Sequence, residues 1–120
     1  MDTKFWGPDG WKLLHSIVFK YPDNPSGEIR NIYRDFFYTI PSILPCIYCR
    51  MSFKEYMKEL PIEDYLNNSK SLSLWLYKIH NKVNNKLRNQ KLNDKKDPEF
   101  KEVYKRYKKY IDCIHKKIES

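Results

Sequence analysis

Ser69-Lys70-Ser71-Leu72-Ser73-Leu74-Trp75-Leu76-Tyr77-Lys78-Ile79-His80-Asn81-Lys82-Val83-Asn84-Asn85-Lys86-Leu87 is the stretch that decides the fold. Leu72, Trp75, Ile79, Val83 and Leu87 recur every three or four residues, which puts them on one face of an α-helix. No proline or glycine interrupts the run. A helix with one apolar face must bury that face against other elements. The rest of the chain therefore has to supply helices or a sheet.

It supplies helices. Upstream, a segment from about Pro45 to Leu60 carries Phe53, Tyr56 and Leu60 and stops at Pro61. Before it, Ile29, Ile32, Tyr33, Phe36, Phe37 and Ile40 are helically spaced between a break at Tyr21–Gly27 and another at Pro41–Pro45. A first helix opens at Pro8 and Asp9, residues suited to a helix N-terminus, with Trp11, Leu14, Val18 and Tyr21 on one face. Downstream, Asn89–Lys96 reads as a polar connector. Asp97 then caps and Pro98 begins a fifth helix, whose apolar face is Phe100, Val103, Tyr104, Tyr107, Ile111, Ile114 and Ile118. No alternating strand pattern and no internal repeat is present. The prediction is an all-α protein with one domain over residues 1–120.

Composition narrows the class. The chain has 120 residues, 41% hydrophobic and 16% aromatic, enough for a core without many disulfides. The aromatic share suits an ordinary core and equally a core that holds a planar ligand. The net charge of +8 lies entirely in Lys78–Ser120, which has 14 basic and 6 acidic residues. Such a region solvates outer helix faces, or meets nucleic acid, an acidic partner or a phosphate-bearing cofactor. No apolar run approaches the roughly 20 residues of a membrane span, and no secretory leader pattern is visible. The expectation is a protein of a cytosol-like compartment, where three cysteines do not build a disulfide framework.

Cys46-Ile47-Tyr48-Cys49 supports three chemistries. At a helix start, the free N–H groups and the helix dipole favour a thiolate, and two sulfurs one turn apart can close a disulfide. Zinc binding needs two further ligands, for which His15, His80 and His115 are the candidates. A thioredoxin-like motif needs a βαβ context that the surroundings do not offer. Two buried, inert thiols also fit the spacing. Cys113 is read as a small core residue, with an accessory thiol as the other option. His80, Asn81, Asn84 and Asn85 weaken a helix that is otherwise well formed. His80 and Asn84 share a face one turn apart and can hydrogen-bond a ligand. An Asn-rich solvent face explains the same stripe. His15, one turn after Trp11, is a satisfied core histidine or a cofactor neighbour.

Taken together, these residues resemble the Erv/ALR family of FAD-linked sulfhydryl oxidases. Trp6-Gly7-Pro8-Asp9-Gly10-Trp11-Lys12-Leu13-Leu14-His15 is similar to the family's Gly-x-x-x-Trp-x-x-x-His segment. Tyr21-Pro22-Asp23-Asn24-Pro25 is similar to its first interhelical turn, and Pro45-Cys46-Ile47-Tyr48-Cys49 to its active-site motif. Trp75 to Leu87 resembles its Trp-x-x-x-x-His-Asn-x-Val-Asn-x-x-Leu pattern, and Pro98 to Tyr107 a weaker stretch ending in Arg-Trp.

The resemblance implies a four-helix bundle plus a short fifth helix, with FAD held between the helices. It implies cofactor contacts from Gly7, Trp11, His15, Tyr48, His80, Asn81, Asn84, Leu87 and Tyr107, with Lys86 near the pyrophosphate. Cys49 would be the flavin-side thiol, and Cys46 the one that exchanges with a substrate dithiol. Electrons would then pass to FAD and on to molecular oxygen, giving hydrogen peroxide. Implied partners are dithiol substrate proteins, a small thioredoxin-like relay protein and a second copy of the chain, with Phe19, Tyr33 and Phe37 on the dimer surface; nucleic acid and membrane are not implied. Cellular members carry a further structural disulfide that starts where Tyr77 stands here, and a separate shuttle cysteine pair that this chain lacks. The Cys-poor pattern resembles the minimal enzymes of large DNA viruses, which implies the host cytoplasm and the virion as locations. Two other classes remain open from the residues alone. One is a basic helical nucleic-acid-binding module; the other is a zinc-stabilised interaction domain.

Overall fold

The computed structural model describes residues 3–89 and 96–119, with side chains as far as Tyr110. Five α-helices follow in order: α1 Thr3–Phe19, α2 Gly27–Ile43, α3 Ile47–Glu59, α4 Ser69–Asn89 and α5 Phe100–Glu119. A 3₁₀ turn at Ile62–Tyr65 joins α3 to α4. No strand occurs among the described residues. Helix α4 is the hub: it packs against α1, α3, the 3₁₀ turn and α5, while α2 packs on α3. No helix among the described residues is long and apolar enough to cross a membrane.

The buried face of α4 is where the periodicity put it. Leu72, Trp75, Leu76 and Ile79 are fully buried. Trp75 meets Phe37 edge-on at 5.1 Å and donates its indole N–H to the carbonyl oxygen of Leu60 at 2.8 Å. That bond meets the need of the one polar atom this large side chain carries inside. Tyr21 does the same just after α1, donating its hydroxyl to the Leu66 carbonyl at 2.7 Å.

Several boundaries differ from the expectation. Helix α1 starts at Thr3, so Pro8 lies inside it. Helix α2 runs through Pro41 to Ile43. A proline ring denies one hydrogen bond to the carbonyl four residues back. Here the loss falls in the last turn, and the ring is buried. Asp97 does not cap α5: the helix opens after Glu99, whose carbonyl accepts from the backbone N–H groups of Glu102 and Val103. Nor is the fifth helix short, since its 20 residues nearly match the 21 of α4. Phe37 is fully buried, Tyr33 packs against Tyr21 at 4.7 Å, and Phe19 against Tyr104 at 5.1 Å. Phe37 is thereby closed to a partner, while Phe19 and Tyr33 stay half-buried. Ile111, Cys113, Ile114, His115 and Ile118 lie outside the described side chains.

Tyr77 ties α4 to the start of α5. Its hydroxyl donates to the Pro98 carbonyl, and its ring lies 5.4 Å from that of Phe100. Tyr77→Phe is expected to cost about 1 kcal/mol, the usual value of one hydrogen bond. Tyr77→Ala should cost about 2 kcal/mol, less than a fully buried aromatic would. Urea denaturation of the two variants beside the parent protein measures both.

Candidate active site

The spacings that build the site are one helical turn each. Trp11 and His15 share a face of α1, and His80 and Asn84 share a face of α4. Packing of α1 on α4 brings the two pairs together. The Trp11 and His80 rings stack at 3.9 Å with 10° between planes. His15 Nε2 and His80 Nδ1 are 3.0 Å apart, hydrogen-bonded. Tyr107 of α5 completes the cluster, its ring 5.3 Å from that of His15.

Burial makes this cluster electrically neutral. It lowers His15 to about 3, with the nearby charge of His80 adding to the effect. Burial likewise lowers His80 to about 4, although Asp97 pulls the other way. Two neutral imidazoles satisfy each other, one ring N–H facing one bare nitrogen; two imidazoliums would oppose N–H to N–H. Toward the N-terminal end of α1, the indole N–H of Trp6 is buried and finds no hydrogen-bond partner among the described residues. A Cβ on Gly7 would meet nothing within 4 Å. An unmet buried donor is a feature that a bound group fills.

The two thiols stand on α3 in different settings. Cys46 is the N-cap of the helix, and its sulfur accepts from the Cys49 backbone N–H at 3.3 Å. A hydrogen bond from the Cys49 side chain holds the Cys46 thiol below its ordinary range. Burial pushes Cys49 up to about 11, and the Cys46 sulfur adds to the rise. Lys86 opposes that rise by its charge and donates its ammonium to the Ser52 hydroxyl. The pair thus has one thiol ready to ionise and one protected.

A family description, Erv1/Alr, matches residues 8–108. The chain belongs to the Erv1/Alr family. It is 34% identical over 85 residues to a probable FAD-linked sulfhydryl oxidase of Acanthamoeba polyphaga mimivirus, covering 70% of this chain and 59% of that one. A putative FAD-linked sulfhydryl oxidase of Invertebrate iridescent virus 3 is 31% identical, and the match covers 70% of this chain and 57% of the relative. The chain thus matches under two thirds of the length of these curated relatives. The solved FAD binding domain of Erv1 from Saccharomyces cerevisiae superposes with a TM-score of 0.80 at 30% identity, covering 91% of this chain and 96% of that domain.

Within this Erv1/Alr fold, Trp11, His15, His80 and Tyr107 form one cluster, and Gly7 lies on α1 toward its N-terminus. Asn81 and Leu87 are half-buried on α4. The Asn84 amide donates to Asp97 at 3.2 Å, in a clasp that Arg88 completes at 2.8 Å. Lys86 turns to Ser52 on α3, near the thiols. Tyr48 is 75% exposed, between the two thiols at the start of α3. Sequence reading missed Ser52, Arg88 and the clasp role of Asp97. These pairings join separate elements, and no local spacing announces them. Among the described residues, no three metal-ligating side chains gather.

Two measurements follow. In the unfolded chain the histidines titrate near 6.5, but in the folded chain they do so near 3 and 4. Below pH 6.5 the unfolded state therefore binds more protons, and stability falls as pH drops toward 4. Each histidine contributes up to about 1.4 kcal/mol per pH unit in that window. Urea melts between pH 7 and pH 4 should show the slope, and a His80→Gln variant should flatten it. Separately, limiting iodoacetamide at neutral pH on the reduced protein should alkylate Cys46 well ahead of Cys49, as read by peptide mass mapping.

Proposed function

We propose that this chain is an FAD-linked thiol oxidase that introduces disulfide bonds into partner proteins through Cys46 and Cys49. The observation that carries the reading is the pairing of an ionisable thiol at a helix N-cap with a protected thiol one turn inward. Relatives named as FAD-linked sulfhydryl oxidases support it.

From the oxidised pair, a substrate thiolate attacks Cys46 Sγ. A mixed disulfide forms, and Cys49 leaves with the electron pair, assisted by the charge of Lys86. The second substrate thiolate then attacks the substrate sulfur of that bond. Cys46 is released as a thiolate, and its depressed pKa makes it a good leaving group. The substrate departs as a disulfide, and the pair is left reduced. FAD, when bound, supplies the acceptor for these two electrons and delivers them to molecular oxygen as hydrogen peroxide.

Residues that would hold the cofactor are Gly7, Trp11, His15, Tyr48, His80, Asn81, Asn84, Lys86, Leu87 and Tyr107. The aromatic and neutral surroundings and the unmet Trp6 donor fit a planar, hydrogen-bonding group. Keeping both imidazoles neutral leaves a donor and an acceptor available without placing a fixed positive charge there. Partners are dithiol proteins, among them a small thioredoxin-like relay. A second copy of the chain fits the outer faces of α1 and α2, where Leu13, Ile32 and Phe36 are exposed. Viral relatives favour work in a host cytoplasm and in the virion.

Purified protein should be yellow and should release FAD on denaturation. Cys49→Ser should retain the flavin but lose oxidation of dithiothreitol, followed as oxygen uptake. A colourless protein that does not take up FAD, or normal turnover in that variant, overturns the assignment.

A further inference from the structure

Cys46, Arg50, Lys54 and Lys58 stand at four-residue intervals, so they form one row along α3. The Arg50 backbone N–H donates to the Cys46 carbonyl at 3.0 Å, and its Nε donates to the Leu44 carbonyl at 2.5 Å. Beside this row, between the C-terminal part of α2 and the length of α3 from Arg50 to Lys58, lies a groove of about 510 Å³. Buried Pro41 and Met57 line it, with the more exposed Tyr38 and Met51 at 46% and 66%. Arg50, Lys54 and Lys58 line it too. None of the three forms an ion pair among the described residues. The neighbouring acid, Glu63, is already engaged by the Tyr38 hydroxyl at 2.5 Å.

We infer that this groove seats the flank of the substrate: an extended segment of mixed acidic and apolar character, next to the cysteine that exchanges with Cys46. The inference rests on the oxidase reading and adds to it a rule for which dithiols are preferred. Three cations without carboxylates create a demand that acidic side chains meet. Methionine walls accept apolar side chains of varied shape, as a catalyst of several substrates requires. The volume lies in the range of ligand pockets, roughly 300–1,000 Å³, which suits a peptide segment better than a packed domain face. From Cys46 to Lys58 the row rises about 18 Å. An extended peptide covers that distance in five or six residues. The acids should therefore lie within about six residues of the substrate cysteine. The chain's own basic half, 14 Lys and Arg against 6 Asp and Glu from Lys78 onward, is repelled from such a site.

The test uses the flavin-loaded protein and three reductants: dithiothreitol, a synthetic Cys-x-x-Cys peptide followed by alternating Asp and Leu, and the same peptide with Lys for Asp. The wild type should favour the acidic peptide through KM, and salt near 0.5 M should erase the preference. The doubly substituted Lys54→Glu, Lys58→Glu protein should show a KM for the acidic peptide raised about fivefold, with kcat and dithiothreitol turnover unchanged. Unchanged dithiothreitol turnover also shows that the variant is folded. If wild type oxidises all three reductants but the two peptides have equal KM, or the variant leaves both KM values unmoved, the docking inference falls alone. It also falls if the variant changes sedimentation from dimer to monomer with both KM values intact, because the groove is then a contact between copies. If wild type with bound flavin oxidises none of the reductants, the oxidase reading fails and takes this inference with it.

Discussion

The hydrogen bond between His15 and His80 joins the first helix to the fourth at the point where the site is built. It fails once both rings are protonated, and burial keeps both neutral. Trp11 stacks on one of these rings and Tyr107 lies against the other, so helices α1, α4 and α5 converge on one neutral contact. A substitution that wetted this region would therefore disturb three helices at once. His80 takes part in this contact and Asn84 in the Asp97 clasp, which explains why polar residues interrupt an otherwise regular helical pattern on α4.

Charge is sorted around that centre. Inside, the imidazoles stay neutral. On α3, a sulfur at the helix start is eased toward ionisation while its neighbour one turn later is held back. Further along the same helix come three cations that form no ion pair among the described residues, beside an apolar groove. In the proposed oxidase, the order along one helix, from Cys46 to the cationic row, would let a single rigid element set both reactivity and preference. Rigidity matters here, because thiol exchange needs three sulfurs nearly in line, and a mobile loop would hold that geometry poorly.

Much of this was legible in the residues. The buried face of α4 follows from its spacing, and the placement of Cys46 and Cys49 at a helix start follows from Pro45 and the run after it. The meeting of Trp11, His15 and His80 was legible as a family likeness; their individual spacings were compatible with an ordinary core. What escaped depends on contacts between elements. Pro41 looked like a helix stop because its ring is costly in an interior turn, yet burial in the last turn offsets that cost. Asp97 looked like a cap because it precedes proline, but Asn84 and Arg88 claim its oxygens. Phe37 was placed on a partner surface by the family likeness, yet it is fully buried, because apolar spacing alone does not say which of several apolar residues face inward.

Tyr77 closes α5 onto α4 with a hydroxyl and a ring contact, in place of a covalent link. The closure is complete as soon as the chain has folded, whatever the redox state of its surroundings. A catalyst of disulfide formation that needed a disulfide to assemble would depend on an earlier copy of itself, and the first molecule made in a reducing setting would have no predecessor. A clasp that owes nothing to oxidation would break that circle for the proposed oxidase, whose founding copy would start as fully built as any later one.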